Sequence, residues 1–370
     1  MTQAAAIITA DSTPDPAALL ADDLAYHLGD RDTYELGAMA SAVTQAPAPD
    51  SAFLCIQRDR GILAGDDYKE RCRLTETGIV IDADVDGKQR RTVVVINRDF
   101  SLLGDAIPYA YEMRDGRKYD YVAIFGTAKP IPVFQYHRRR GCAAIIHTLP
   151  GFHTFPSRHI PRLDDTTPFE EKVPKVFWRG QRSGRIESPN GYVGSSRVLA
   201  DPSYSEAEKR ALLRQMPRIV FCEASSGKEF LDVALVPAKT DSPDDPLLQH
   251  LYRPRVPREE QLTYRYLLAL DGNDAPSSWF WMLNTNSVVL RQESPWEIFA
   301  DNYFRPWIHF VPVARDASDL TEKFLWCEQH LSECARISAN ARRAWSVLFD
   351  RKYQATRREA LLAAYRSWFA

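Results

Sequence analysis

The sequence predicts an α/β fold divided into two domains. Its 370 residues exceed what one hydrophobic core usually serves. In the C-terminal half, apolar runs alternate with a helical one. Tyr264–Asp271 reads as a buried strand opening into a loop, Ser277–Asn286 as a short helix, and Ser287–Leu290 and Trp307–Val313 as two further strands. This alternation indicates a parallel sheet, whose ligands sit at the carboxyl ends of the strands. Polar residues crowd that end of the first strand: Asp271, Gly272, Asn273 and Asp274, then Ser277 and Ser278. A nucleotide is expected there.

The remaining elements follow in chain order. Residues 1–15 read as a frayed terminus. Pro16–Leu28 has apolar residues at helical spacing, and Asp30–Ala46 continues in that style up to a proline-rich break. Phe53–Ile56, Gly78–Ile81 and the β-branched run Thr92–Ile96 read as strands. Asp82, Asp84 and Asp86 before Gly87 suggest a hairpin turn. A calcium loop would need a glutamate six positions after the glycine, where Val93 stands. Tyr121–Phe125 and Ala143–His147 are two more expected strands. Proline and charge dominate Pro156–Pro174, the expected linker. It separates an N-terminal domain (1–165) from a C-terminal one (166–345), with residues 346–370 as a closing helix. Val176–Arg179 opens the second unit, Glu206–Gln215 is helical, and His250–Glu260 reads as a loop. Asp319–Leu331, Ser338–Phe349 and Thr356–Phe369 have the spacing of amphipathic helices.

Composition excludes several classes. A net charge of −2 argues against a general nucleic-acid binder. The run His137-Arg138-Arg139-Arg140 reads as a solvated helix face, with an anionic acceptor or membrane head group as the sharper alternative. No run approaches the roughly 18–20 apolar residues of a membrane span. The first thirty residues are acidic and do not read as a signal peptide. Six scattered cysteines form no CxxC pair and are expected to be reduced. Cys327 and Cys334 are expected two turns apart on one helix, too far to bridge.

The order of residues in the C-terminal half carries a resemblance. The pattern YLLxxDGN, serines, WxLxxNSVVL, SPxE, PWxHFVPV and DxSDL is similar to the capsule-associated, Rumi-type glycosyltransferases. The segment Val176–Ser183 (VFWRGQRS) and Ile131–Phe134 (IPVF) resemble further family segments. The resemblance implies two Rossmann-like domains facing across a cleft (GT-B type), with C-terminal helices packing back. It implies an inverting, metal-independent transfer from a UDP-sugar, glucose or xylose, with no cofactor. The acceptor would be a saccharide or glycolipid of a bacterial surface polysaccharide or lipopolysaccharide. The expected location is the bacterial cytoplasm, with peripheral contact at the inner membrane face allowed.

Such a transfer needs a cation for the leaving diphosphate and a base for the acceptor hydroxyl. Arg179 and Arg182, either side of Gly180, are the expected diphosphate clamp, because glycine lets the backbone approach a phosphate. Arg197 follows two serines at a plausible helix start. Asp271, Gly272 and Asn273 form the expected sugar-nucleotide cradle, and Ser277 and Ser278 the expected cap of the next helix. Many family members carry an arginine beside these serines, whereas this chain has Ser278-Trp279. Glu297 is a ribose-binding candidate by analogy with other GT-B enzymes, and His309 reads as a core histidine. For the base, family members end a strand in Asn-x-Arg-Asp, and Val93–Asp99 has those letters, nominating Asp99. The family places IPVF about a dozen residues after its aspartate, while here Ile131 lies 32 residues beyond Asp99. That second register leaves Asp105 and His147 as alternatives. Two rival functions stay open: an inactive nucleotide-sugar or glycan binder, and a cytoplasmic protein O-glycosyltransferase.

Overall fold

The computed structural model describes residues 7–38, 53–57, 61–64, 72–75, 78–81, 87–104, 107–112, 128–148, 153–188, 191–237 and 245–370. Asp82–Asp86, Asp105 and the expected strand Tyr121–Phe125 lie outside them.

Helix α1 (Pro16–Leu28) stands where the apolar spacing put it. Asp15 caps it by accepting from the Ala17 and Ala18 N–H groups, and Pro16 occupies the first turn. Within residues 30–38 short turns of 3-10 helix stand at Arg31–Thr33 and Leu36–Ala38, and the rest of the expected stretch, 39–46, lies outside the described residues. Strands β1 (Phe53–Gln57) and β2 (Gly61–Ala64) pair antiparallel, as do β3 (Cys72–Thr75) and β4 (Gly78–Ile81).

The expected strand Thr92–Ile96 is corrected: it lies inside helix α2 (Gly87–Leu103). Val93, Ile96, Asp99 and Leu103 are buried at helical spacing, while Val94 is 65% exposed. One-sided burial with a helical period overrides the β-propensity of the valines.

Strands β5 (Tyr109–Glu112), β6 (Val133–Gln135), β7 (His137–Arg139) and β8 (Ile145–Ile146) follow. The run read as a solvated helix face is therefore strand β7. The first sheet has the order β2-β1-β5-β6-β8, with β5, β6 and β8 parallel.

The second sheet begins with β9 (Val173–Gly180). A β10 (Ile186–Ser188) and β11 (Gly191–Val193) hairpin follows, then helices α3 (Ser195–Ala200), α4 (Glu206–Leu213) and α5 (Pro217–Ser225). Next come β12 (Leu231–Leu235), α6 (Arg258–Gln261), β13 (Tyr264–Ala269), α7 (Ser278–Met282), β14 (Val288–Gln292), β15 (Trp296–Ile298) and β16 (Val311–Val313). The sheet order is β12-β9-β13-β14-β16, all parallel. Its second strand thus lies outside its first, and the order reverses between β9 and β13. Both faces are covered. Val176, Trp178, Tyr266 and Leu268 pack into one cluster, and Phe177, Leu267, Ala269 and Trp279 into another. Burial on both faces is why these strands read as unbroken apolar runs.

The expected strand Trp307–Val313 shrinks to β16. Trp307 instead has a left-handed backbone (φ 64) and is 38% exposed. His309 is fully buried; its Nδ1 accepts from the Arg305 N–H at 2.8 Å and its Nε2 meets the Ile8 carbonyl.

Helices α8 (Leu320–Gln329), α9 (Leu331–Leu348) and α10 (Arg351–Ser367) complete the chain. Cys327 and Cys334 sit on successive helices, α8 and α9, rather than on one, and both are free and buried. Leu361, Leu362 and Tyr365 of α10 return to pack with Val93, Ile96 and Tyr109. The architecture is mixed α/β with parallel strands in both large sheets. Among the described residues no helix is long and apolar enough to cross a membrane.

Candidate functional site

Where strand order reverses in a parallel sheet, the loops leaving the two strands diverge and open a crevice at their carboxyl ends. A cleft of about 240 Å³ lies at that point. Its walls include Ser183 after β9, Gly272–Ser277 after β13 and Arg218 of α5. Tyr136, just past β6 of the first sheet, and His137, the first residue of β7, close it from the other side, with His153 and Phe280 alongside.

Asp271 organises the β13 loop from beneath. Only 2% exposed, its carboxylate accepts from Ser294 Oγ at 2.8 Å and Gln292 Nε2 at 3.3 Å, with Arg315 Nη1 at 3.4 Å. Its own N–H donates to Gln292 Oε1 at 3.0 Å. Burial outweighs these partners and pushes its pKa up to about 6. Gly272 is required by close approach. A Cβ there would stand 2.7 Å from Ser183 Oγ and 2.9 Å from Arg218 Nη2. Asn273 and Ser277 are exposed on the cleft side of this loop.

Arg218 is the cation of the cleft. It follows Pro217, which occupies the first position of α5. Its Nε donates to the Asp271 carbonyl at 3.0 Å and Nη2 to the Leu270 carbonyl at 3.3 Å. Nη1 donates to the Gln181 carbonyl at 2.7 Å and to Ser183 Oγ at 2.5 Å. All four acceptors are neutral. The guanidinium also stands 5.5 Å from the Trp178 ring. Burial lowers its pKa to about 10, partly opposed by Asp271 and Asp274, so it stays charged at neutral pH. A fixed cation on neutral supports keeps its charge for an incoming anion.

Across the cleft, His137 Nδ1 lies 3.6 Å from Asp274 Oδ2. Burial pushes the Tyr136 hydroxyl pKa well up, and Asp274 and then Glu112 push it further. Glu112 ends β5, one residue past the Tyr111–Phe134 pairing with β6, so the β5 terminus lies beside this wall.

The expected site residues fall into two groups. Gly272, Asn273 and Ser277 line the cleft, with Asp271 supporting them. Ser277 precedes α7 and makes no side-chain cap hydrogen bond, and Ser278 is the helix's first residue, which corrects the capping expectation; the five-residue helix starts from an already helical Ser277 backbone. The others stand elsewhere. Arg179 pairs with Asp232 at 2.6 Å, donates to the Trp178 and Asp232 carbonyls, and lies 4.7 Å from the Phe177 ring. Gly180 has a packing reason, since a Cβ there would be 2.4 Å from the Trp178 indole. Arg182 is buried and donates to Ser196 Oγ at 3.1 Å, while Arg197 is exposed on the short α3. Glu297 is on strand β15, paired with Arg138 at 2.6 Å and Arg140 at 3.5 Å.

Asp99 does not end a strand, which corrects the basis on which it was nominated. It sits in α2, fully buried, with His147 Nε2 2.9 Å from Oδ2 and Arg98 Nε donating to Oδ1 at 3.1 Å. Burial raises its pKa, but His147 and Arg98 together bring it below the usual carboxylate value. It does not line the cleft.

Arg218, Ser183, Tyr136, His137 and His153 were not anticipated from sequence as site residues. Met216-Pro217-Arg218 held one usable signal, a proline that marks a helix start with a cation in its first turn.

Comparison with known proteins bears on this site. Residues 214–353 match the sequence model of glycosyl transferase family 90. An O-glucosyltransferase, LpsA of Dichelobacter nodosus, is 24% identical over 195 residues, 52% of this chain and 49% of the relative. Protein O-glucosyltransferase 3 of Rattus norvegicus is 37% identical over 75 residues, 20% of this chain and 15% of the relative. An uncharacterized protein, 179R of Invertebrate iridescent virus 6, is 24% identical over 222 residues, 56% of this chain and 18% of the relative. The chain spans less than half the length of these curated relatives. The matched segment runs from the turn before α5 into α10 and holds both Arg218 and the 271–278 loop, so the likeness to glycosyl transferase family 90 extends over one wall of the cleft.

Proposed function

We propose that the protein transfers a glycosyl unit from a UDP-sugar to a saccharide hydroxyl, with inversion and without a metal, in a GT-B arrangement. The observation that carries this reading is Arg218, a half-buried cation with neutral partners at the strand-order switch point. Charge developing on the leaving diphosphate would meet that guanidinium and Ser183. The acceptor would enter against Tyr136, His137 and His153. The O-glucosyltransferase names of two relatives support glucose as the unit, with xylose the alternative. A saccharide of a bacterial surface polysaccharide or lipopolysaccharide is the proposed acceptor, in the cytoplasm or at the inner membrane face.

The base follows from the same proposal. Asp99 is enclosed by His147 and Arg98, which disfavours it. The same Arg-Asp letters recur in the sequence at Arg114-Asp115, outside the described residues. Ile131 lies 16 residues beyond Asp115, close to the family spacing. We therefore assign the role of proton acceptor to Asp115.

The test is UDP release from UDP-glucose, with and without chelator, for wild type, Asp115→Asn and Asp99→Asn. Asp115→Asn should lower turnover at least about 100-fold with melting unchanged, the scale of general-base loss. Asp99→Asn should destabilise the fold. Full turnover in Asp115→Asn refutes the assignment. UDP binding with no release by wild type, with or without a saccharide acceptor, favours the second reading, a non-catalytic nucleotide-sugar binder, which the burial of Asp99 also suits.

A further inference from the structure

Trp307 stands in the turn that leads into β16, at the amino end of the second sheet and so at the opposite end from the cleft. A bulky residue in the left-handed region (φ 64) is a strained outlier, and such strain persists only where the surroundings over-determine it. The turn does so with four hydrogen bonds. The Trp307 N–H donates to the Phe310 carbonyl at 2.7 Å, and the His309 N–H to the Arg305 carbonyl at 3.0 Å. The Arg305 N–H donates to His309 Nδ1 at 2.8 Å, and Asn340 Nδ2 to the Ile308 carbonyl at 3.1 Å. Glycine would adopt this backbone freely, yet the position carries an indole and leaves it exposed. Burial does not explain that choice.

The indole begins a row of rings along α8. Trp307 meets Trp326 edge to face with centroids 4.8 Å apart, and His330 stacks on Trp326 at 4.5 Å. His330 Nδ1 donates to the Trp326 carbonyl at 2.7 Å. Among the described residues, His330 Nε2 and the Trp307 indole N–H make no hydrogen bond. Aromatic faces flanked by uncommitted polar groups match a pyranose, whose axial C–H bonds form an apolar face and whose hydroxyls ring its edge. Leu325 and Leu331 widen the apolar surface, which would also suit a bilayer. The charges oppose that occupant. Lys323 pairs with Asp319 at 3.5 Å and Glu322 at 3.7 Å, Glu328 pairs with Arg265, and Glu333 with Arg336. Even with Arg305 counted, anionic head groups would meet no positive excess. We infer that Trp307, Trp326 and His330 form a second saccharide-binding site, which takes a neutral stretch of an oligosaccharide remote from the cleft. For its occupant the inference rests on the saccharide-acceptor reading above. Holding a chain at two places raises its effective concentration at the cleft.

The experiment is calorimetry of wild type and Trp307→Gly with maltoheptaose, laminariheptaose and UDP, together with thermal melting. Wild type should bind at least one heptasaccharide. Trp307→Gly should bind it about tenfold more weakly, the size of one aromatic contact. Its UDP affinity and melting temperature should stay unchanged, because glycine relieves the strained backbone. Wild type that binds neither heptasaccharide overturns the inference, and so does binding that Trp307→Gly retains in full. A clear drop in the melting temperature of Trp307→Gly also overturns it, since the indole would then be structural. Trp307-dependent pelleting with phosphatidylglycerol vesicles, without heptasaccharide binding, would replace the saccharide with a membrane. UDP reports on the donor reading alone: wild type that fails to bind it sinks that reading and leaves this site to the heptasaccharides.

Discussion

Acidification should stabilise this protein through Asp271, against the usual behaviour of a salt-bridged carboxylate. Folding raises the Asp271 pKa from 3.8 to about 6, chiefly by burial. The folded state therefore holds this proton more tightly than the unfolded chain does. The resulting stabilisation is full below about pH 4 and is lost as the pH rises through about 6. A rise from 3.8 to about 6 is worth about 3 kcal/mol, at about 1.4 kcal/mol for each tenfold gain in proton affinity. Asp271→Asn removes the titration while keeping one acceptor oxygen for Ser294. The assay is urea unfolding of wild type and variant, followed by tryptophan fluorescence at steps from about pH 4 to about pH 8. Other carboxylates titrate in both proteins and cancel in the difference. The variant should gain about 3 kcal/mol relative to wild type across that range. A difference constant within about 0.5 kcal/mol, the usual error of additivity, would refute a buried, proton-retaining Asp271.

Gly272→Ala places a Cβ against Ser183 Oγ and Arg218 Nη2, so thermal melting should show a loss of about 1–3 kcal/mol, as overpacking costs. UDP affinity measured by calorimetry should fall with it. Arg218→Ala should weaken UDP binding by about 1.5–3 kcal/mol and UMP binding much less. Arg179→Ala, which strips Asp232 of its partner, should lower the melting temperature and spare UDP; the reverse pattern would return the clamp to Arg179.

The second sheet was legible because its strands are buried on both faces, so Tyr264–Ala269 and Val288–Gln292 appear as short apolar runs between breakers. The 271–278 loop was legible for the same reason, since a strand end followed by Asp-Gly-Asn is a turn with a purpose. Helix α2 was not, because three successive valines favour a strand locally and only their packing reveals the helix. Trp307 was misplaced because its alternation with His309 mimics a strand, whereas the backbone there turns left-handed. Arg218 escaped notice because a single arginine makes no pattern. Its role depends on Gln181, Ser183 and Asp271, brought to it by two strand ends and a helix far apart in sequence. Arg179 shows the converse: a motif can name a residue while the fold spends its charge on a neighbouring strand.

Strand β7 pairs with β15 across 159 residues of chain, joining Arg138 to Glu297 and, just beyond, the Arg140 N–H to the Pro295 carbonyl at 2.8 Å. Such a two-stranded ribbon cannot stand alone in water. The family-matched segment 214–353 contains β15 but not β7. Excised, it would leave Glu297 without its arginines and the strand without a mate. The chain is thus not modular along the lines its sequence similarity draws. Dissecting or grafting it must carry residues 137–140 with the matched segment, and recombination between relatives would have to exchange both pieces together.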